Sequence, residues 1–392
     1  MTATIRPLVA PDGNPGLPRA ARAALLLMAG VALIAGLTSA LLLLGIGIPD
    51  GSARLASGHG PLMTMGFLGT RIALERAVAL GRPWAYAAPL AAGVGGLAVV
   101  GGVSVAVAAV PLAIGAAVLL WIYAAVARVH ASLHGSVQAV GAMCWLVAAI
   151  VLRLGQPAAS AVPWLAAFLV LTVVGERLEL SALVRPSAAA RRAFIVVAAV
   201  FGLGILATLP APDAGFRVAG LGLIGIAAWG ARYDLARRTI RARGVTRFIA
   251  ACLLAGYAWL AIGGAAWALA CGAPTSAGYD ASLHAVFLGF VISMVFGHAP
   301  VILPGVLRIP LAYHPAFYGH LVLLHAGLLV RVAAGDLLRI DGAWQLGGIL
   351  NVAAVLLFIT MSAGAAVRGV TARRAARRAA RRSRPPAGSR PA

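Results

Sequence analysis

The sequence predicts an all-α polytopic membrane protein with about twelve transmembrane helices. Of its 392 residues, 61% are hydrophobic and 11% are charged, and the mean hydropathy is +0.95. A soluble domain of this length does not carry so apolar a composition. Apolar runs of about 20 residues, long enough to cross a ~30 Å hydrocarbon core, follow one another from Arg22 almost to Arg368. These runs lack the alternation of β-barrel strands, so the spans are predicted to be helices.

The apolar runs define a transmembrane domain and two tails. Residues 1–21 are rich in Pro and Gly and are predicted to form a disordered cytoplasmic tail, residues 22–370 the transmembrane domain, and residues 371–392 an arginine-rich cytoplasmic tail. Abundant glycine and alanine in the runs favour close contact between helices in lipid. The predicted spans are 22–47, 59–80, 84–103, 106–127, 134–153, 159–176, 192–210, 216–231, 248–271, 281–303, 316–333 and 345–367.

The charge distribution predicts that both termini lie in the cytoplasm. The chain has 32 basic and 10 acidic residues, a net charge of +22, and cytoplasmic loops hold the excess of basic residues in membrane proteins. With the amino terminus inside, all but five of the basic residues fall in inner segments. These five are Arg54, Arg153, Arg217, Arg331 and Arg339. We therefore predict a multi-pass protein of the bacterial cytoplasmic membrane that contacts an anionic inner leaflet and does not bind nucleic acid.

Cysteines and intramembrane charges give weaker signals. The three cysteines lie in or at the ends of apolar spans without a C-x-x-C pair, which argues against both a disulfide framework and a zinc site. Arg71 and Glu75 form an i, i+4 pair inside the second span, where a buried charge requires a partner. Mutual neutralisation is the simpler interpretation, and a proton or ion path is the alternative. No catalytic residue is indicated.

Two of the eight histidines are predicted to lie at one depth near the outer surface. His59 opens the second span and His284 lies a few residues into the tenth. Both spans run from outside to inside, so both imidazoles are expected in the outer third of the membrane. An ionisable residue within a span indicates a functional site. Hydrogen bonding at the membrane interface is the alternative for each histidine.

The outer pair of histidines meets the requirement of a haem. Axial ligation needs neutral imidazoles on opposite faces of a flat ring, and two facing helices of a bundle can supply them. Met63 follows His59 by one helical turn and offers an apolar contact, while Arg54 and Arg331 are at the right level to pair with the propionates. Three nearby glycines are predicted to leave a strip free of side chains: Gly60, Gly66 and Gly69.

The inner histidines form a looser group. His298 follows His284 by fourteen residues, so the two share a helix face about 21 Å apart. His320 opens the eleventh span, His325 lies deeper, and His134 opens the fifth. We treat these four residues (His134, His298, His320 and His325) as candidate metal ligands, with copper as the candidate metal and interfacial hydrogen bonding as the alternative. His320 and His325 are about 140° apart around the helix and do not readily face one site.

Three segments resemble known families. His59–Phe67 (HGPLMTMGF) resembles the second-helix motif of haem-copper oxidase subunit I, where a His-Gly-x-x-Met pattern supplies a low-spin haem ligand, and also the Met-x-x-Gly-Phe stretch of NnrS proteins. His284–His298 resembles the NnrS segment that opens with His-Ala and leads to Gly-His. Leu328–Val332 (LLVRV) is similar to the Leu-Leu-Arg-Val sequence that follows it.

The resemblance implies a haem-copper-oxidase-like bundle of twelve helices with a role in the response to nitric oxide or nitrosative stress, or in haem-based redox chemistry. It implies haem ligation by His59 and His284, less directly by His298, with nitric oxide as a small gaseous ligand. The sixth and seventh spans contain no histidine, whereas the oxidases carry copper ligands there. The resemblance therefore does not extend to a complete dioxygen-reducing centre.

Two other functions are consistent with the sequence. A secondary transporter of twelve spans, arranged as six plus six, would show broken helices and charges that converge at the middle of the membrane. A non-catalytic assembly subunit would have kept the fold and lost the cofactor. If His59 and His284 faced lipid or lay far apart, the assembly subunit would be favoured.

Overall fold

The computed structural model describes residues 16–47, 53–181, 186–270, 277–307 and 309–382. Within these ranges the regular structure is helical and there is no strand. Eleven helices in the described part of the chain are long and apolar enough to cross a membrane. The predicted class, a polytopic α-helical membrane protein, is confirmed at this level.

We number the twelve long helical segments in chain order. Their positions agree with the predicted spans, with shifts of several residues at their ends. They are α1 Arg19–Leu43, α2 at 59–80, α3 Pro83–Val100, α4 Val105–Val129, α5 Leu133–Arg153, α6 Ala158–Ser181, α7 Ala188–Ala207, α8 Pro212–Tyr233, α9 Gly244–Ala270, α10 Gly278–Leu307, α11 Phe317–Leu337 and α12 Ala343–Arg382.

Helix α2 is not among the eleven candidate spans, and it carries three charged residues toward its inner end: Arg71, Glu75 and Arg76. The ion pair that anchors them runs between helices, from Arg76 Nη2 to Glu176 Oε1 of α6 at 2.7 Å. Arg71 and Glu75 do not form an ion pair within 4 Å in the described part of the chain. The charge at this depth that forms an ion pair is therefore Arg76, and the predicted neutralisation of Arg71 by Glu75 stays a prediction.

Local sequence signals set several helix ends. Ser132 and Ser187 precede α5 and α7, and each side chain accepts a hydrogen bond from the backbone N–H three residues ahead, at 3.2 Å. This is the N-cap interaction that satisfies a free donor of the first turn. Gly81 ends α2 with φ of 69°, a left-handed conformation that glycine adopts without strain. At the other end of the chain, α12 runs on to Arg382, so the start of the arginine-rich tail is helical.

The helices pack mainly against their neighbours in sequence, and α12 returns to contact α1. Among the candidate spans, α6 has the largest buried share at 72%, followed by α10 at 61%, and α7 has the smallest at 28%. Helices α2, α6 and α10 also contact one another. The interior is therefore built around these three helices, and α7 lies at the periphery.

Small residues allow the backbones of α7 and α8 to come into close contact. A Cβ built on Gly204 would lie 2.2 Å from the backbone nitrogen of Ala219, and one on Gly222 would lie 2.5 Å from Phe201 Cα. No side chain fits in either place. Close helix contact through small residues is a common mode of association in lipid, as the glycine content predicted.

Three eight-residue π-helical segments occur in the described chain, in α2, α10 and α11. They are Leu62–Gly69, Ala285–Ile292 and Val330–Leu337. A π-helical turn inserts an extra residue per turn, changes the direction of the following side chains, and is frequent at functional sites. All three segments lie in helices that surround the cavity described next.

Candidate functional site

A cavity lies at the outer end of the bundle, where the even-numbered helices begin. We call the two ends of the bundle outer and inner according to the membrane orientation that the arginine distribution predicts. Helices α1, α2, α6, α10, α11 and α12 form its walls. They surround a partly open cavity of about 150 Å³, which is smaller than the ~300–1,000 Å³ typical of ligand pockets. His59, His284, Met63 and Arg331 all line it. The structure thus brings together four of the five residues predicted for the outer site.

The fifth predicted residue, Arg54, belongs to the short helix Ala53–Ala56. Its side chain lies outside the part of the chain that the structure describes. The predicted pairing of this arginine with a propionate therefore stays a prediction.

His59 is oriented by a hydrogen bond to the neighbouring helix α1. Its Nδ1 lies 2.9 Å from the carbonyl oxygen of Gly36. Because a carbonyl only accepts, the proton of the neutral ring is on Nδ1 and the lone pair is on Nε2. Nε2 has no hydrogen-bond partner among the described residues. The ring therefore carries a free electron-pair donor at the wall of the cavity.

His284, which lines the same cavity from α10, is oriented in a similar way. Its Nδ1 lies 2.9 Å from the backbone oxygen of Asp280, one turn earlier in α10, and 3.2 Å from the carboxylate oxygen Oδ1 of the same residue. The described residues again provide no recorded partner for Nε2. A carboxylate behind an imidazole fixes its tautomer and increases the basicity of the free nitrogen.

Asp280 also connects the cavity to α11 and α12. Arg331 donates to both of its carboxylate oxygens, from Nε and Nη2, at 2.9 Å each, and Trp344 Nε1 donates at 3.0 Å. The guanidinium lies over the Trp344 ring, 4.9 Å from its centre. A Cβ on Gly348 would lie 2.8 Å from Arg331 Nη1. Glycine at position 348 leaves space for the Arg331 guanidinium. The Nη1 atom of Arg331 does not take part in the hydrogen bonds to Asp280 and lies near the cavity.

The remaining cavity wall is largely aliphatic. Leu165 comes from α6, Phe287 from α10 and Val352 from α12. Gly60 leaves open space beside His59, since a Cβ built there would meet nothing within 4 Å. The predicted glycine strip does not continue further along α2. A Cβ on Gly66 would lie 3.2 Å from the Cα of Gly96, and Gly69 packs against the ring of Trp145.

His298 at the inner end of α10 has both nitrogens engaged. Its Nδ1 lies 2.7 Å from the carbonyl oxygen of Met294, and its Nε2 lies 3.4 Å from Nη1 of Arg177. The carbonyl accepts the Nδ1 proton, so the Nε2 lone pair faces a guanidinium N–H. A metal ligand needs that lone pair free, and a permanent positive charge beside it opposes cation binding.

The other inner histidines lie in separate environments. His325 Nδ1 accepts from Trp259 Nε1 at 2.9 Å, and His134 Nε2 lies 3.0 Å from the hydroxyl of Ser132. His320 is fully buried, and both of its ring nitrogens lack a hydrogen-bond partner in the described structure. Four phenylalanines surround this imidazole: Phe248, Phe296, Phe317 and Phe358.

These histidines do not assemble a metal centre. Within the described ranges, no three His, Cys, Asp or Glu residues come together in a group able to hold a metal ion. The prediction of an inner copper or other metal site from His134, His298, His320 and His325 gains no support from the structure.

An ion cluster at the inner end holds α6, α8 and α9 together. Arg177 donates to both oxygens of Asp234 at 2.7 Å, and Tyr257 donates to the same carboxylate at 2.7 Å. Burial by itself raises the pKa of Asp234, but the hydrogen bonds from Arg177, from the backbone N–H of Ala236 and from Tyr257 hold that pKa below its ordinary value. The carboxylate is therefore charged and saturated with donors.

Sequence reasoning missed several of these residues. Asp280 precedes His284 by four positions, and this i, i+4 spacing on a helix was a visible signal. Trp344 and Asn351 give no local signal, because they reach the site through the packing of α12. Asn351 Nδ2 donates to the carbonyl of Leu324 at 2.8 Å, while its buried Oδ1 has no partner among the described residues.

The comparisons with known proteins identify a family. A family model described as a domain of unknown function, DUF8744, matches residues 22–367, and the chain belongs to this family. The match covers nearly all of the predicted transmembrane domain. The comparisons with curated proteins and with solved structures gave no match.

Proposed function

We propose that this DUF8744 protein is a haem-binding integral membrane protein of the bacterial cytoplasmic membrane, in a haem-copper-oxidase-like bundle that lacks a complete oxidase centre. The observation that carries the proposal is the pair His59 and His284. Each imidazole donates its Nδ1 proton to a backbone carbonyl, lines one shared, mainly apolar cavity, and has no partner for Nε2 among the described residues. An imidazole whose other nitrogen donates to a backbone carbonyl is oriented for binding to a haem iron.

The other residues at the cavity suit the same ligand. The apolar side chains of the wall match the apolar faces of a porphyrin, and the open space at Gly60 lies next to one of the two imidazoles. The cavity, at about 150 Å³, would have to widen to admit the macrocycle. Arg331 Nη1 supports the binding of a propionate, since it lies at the cavity while the rest of the guanidinium pairs with Asp280. The free imidazole nitrogens at the shared cavity count against a subunit that has lost its cofactor.

The pair of histidines favours electron transfer among the proposed roles. A bound haem would supply one-electron redox chemistry, and both His59 and His284 would be used to hold it. A site that holds the haem through both imidazoles would offer no vacant place for nitric oxide. We therefore place the redox role ahead of direct binding of a gaseous ligand, within a function related to NnrS.

Haem content tests the proposal directly. The wild-type protein, expressed with sufficient haem and purified, is expected to show a Soret band and about one haem per chain. His59→Ala and His284→Ala each remove one of the two free Nε2 donors, and both variants are expected to lose most of the haem. Pyridine haemochrome assays on matched amounts of folded protein measure this loss.

His314→Ala is the matched control, because His314 is an exposed histidine in the loop before α11. This variant should keep the haem content of the wild type. Wild-type protein without a Soret band under these conditions, or equal haem in the His59 and His284 variants and the control, would overturn the proposal.

A further inference from the structure

A pocket rich in arginine lies at the inner end of the bundle, remote from the histidine cavity. It occurs where α8 ends and α7 begins, and it has a volume of about 660 Å³. We call it the arginine pocket and define it by Ser187, Arg232, Arg237, Arg238 and Arg241. Arg232 ends α8, and the other three arginines follow in the segment that leads to α9.

The arginine pocket carries positive charge that the surrounding protein does not neutralise. All four arginines are exposed, and none of them pairs with a carboxylate in the described structure. Asp234 is the acid in the wall, but its oxygens already accept from Arg177, Tyr257 and the backbone of Ala236. The pocket therefore presents unpaired guanidinium groups, which bind phosphate oxygens strongly and often through two hydrogen bonds.

The start of α7 adds neutral donors to the same pocket. The Ser187 side-chain oxygen accepts from the N–H of Ala190 at 3.2 Å, so its own hydroxyl proton remains available. The first turn of this 20-residue helix also directs backbone N–H groups outward, and such groups attract anions. A single phosphate at this point can contact both the helix start and the arginines.

An apolar surface adjoins the pocket along α7. This helix has the smallest buried share among the candidate spans, at 28%, and Val196 and Leu203 are 60% and 63% exposed. Such side chains at membrane depth suit acyl chains. The charged pocket and the apolar helix together match the two parts of a phospholipid.

We propose that the arginine pocket binds the phosphate of an anionic phospholipid, with the acyl chains lying against α7. The position at the ends of spans and the apolar flank favour a lipid headgroup over free phosphate. The arginine pocket would thus be the place where the protein recognises an anionic leaflet. This lipid site is separate from the histidine cavity and does not depend on haem binding.

Native mass spectrometry of the delipidated full-length protein tests this site. The probes are phosphatidylglycerol and phosphatidylcholine with identical acyl chains. The wild type is expected to prefer phosphatidylglycerol by about tenfold, since the anionic headgroup alone gains the arginine contacts. Arg237→Gln combined with Arg238→Gln should reduce this preference to nearly one, with the haem content of the protein unchanged.

Arg368→Gln combined with Arg373→Gln is the charge-matched control, because both residues are exposed on the inner part of α12. It should keep the preference of the wild type. Equal binding of the two lipids by the wild type, or equal loss in the test and control variants, would overturn the proposal. Displacement of the lipid by an equimolar amount of inorganic phosphate would also overturn it, since this result assigns the pocket to free phosphate.

Discussion

The two histidines of α10 occupy contrasting environments at opposite ends of the same helix. At the outer end, His284 lines an apolar cavity and has a backbone carbonyl and a carboxylate at Nδ1, with no partner for Nε2 among the described residues. At the inner end, His298 has its Nε2 next to Arg177, and that arginine is bound by Asp234. A histidine is therefore available for coordination at the outer end of α10, and a second histidine is engaged in a hydrogen-bond network at the inner end.

This difference shows that depth in the membrane does not by itself identify a ligand. The two ends differ in whether the Nε2 atom of the histidine has a hydrogen-bond partner and in whether a cavity lies beside the ring. The outer end leaves donors free around a cavity, which suits a cofactor. At the inner end each charge of the Arg177 cluster has a partner, and these pairs connect neighbouring helices. The Arg177–Asp234 and Arg331–Asp280 pairs lie at opposite ends of the bundle, whereas a transporter would have charges that converge at mid-membrane.

The largest expected effect is on stability, from breaking the inner cluster. Asp234→Ala leaves Arg177 buried without its partner, and such a change costs about 3–5 kcal/mol. We expect a marked decrease in the melting temperature of the purified protein, while the folded fraction keeps its haem. Thermal unfolding followed by tryptophan fluorescence measures the change.

Asp213→Ala is the control for this prediction, since Asp213 is an exposed acid at the start of the same helix α8. Its melting temperature should stay close to that of the wild type. An Asp234→Ala protein that is as stable as this control would show that the inner cluster does not hold the helices together.

An intermediate effect is expected from the carboxylate behind His284. Asp280→Asn removes a negative charge from the imidazole and leaves Arg331 unpaired. Both changes disfavour ferric iron relative to ferrous iron, so the haem midpoint potential should rise by tens of millivolts. A potentiometric titration followed by optical spectroscopy gives the value, with Asp341→Asn in the exposed loop before α12 as the control. An unchanged or lower potential in Asp280→Asn would contradict the assigned role of Asp280.

The smallest effect is expected at His320. Its two nitrogens are buried without partners among four phenylalanines, so His320→Phe removes unpaired polar atoms at the expense of a few contacts. We expect a change in unfolding free energy within about 1 kcal/mol and no loss of haem or bound metal. His325→Phe, which removes the acceptor of the Trp259 N–H, should be more destabilising. A loss of metal from His320→Phe, measured by elemental analysis, would restore this residue as a ligand.

Much of the architecture followed from the sequence, because lipid imposes long apolar runs whose order fixes the direction of each span. Counting spans placed His59 and His284 at one end, and the structure puts them at one cavity. Direction and depth are one-dimensional properties that hydropathy can give.

The details of the site needed the packed structure. The Arg331–Asp280 pair joins residues 51 positions apart, and the Arg177–Asp234 pair joins residues 57 apart. No local pattern predicts which charges will meet across helices. The π-helical segments, which redirect side chains around the cavity, likewise have no periodicity signal in the sequence.

The ligand state of the iron in the proposed haem tests the central claim most directly. Low-temperature electron paramagnetic resonance of the oxidised wild-type protein should give a low-spin signal typical of two imidazole ligands, and the reduced protein should not bind carbon monoxide readily. This outcome is predicted because His59 and His284 line one cavity and neither has an Nε2 partner in the described part of the chain. A purely high-spin signal, or rapid binding of carbon monoxide, would contradict ligation by this pair.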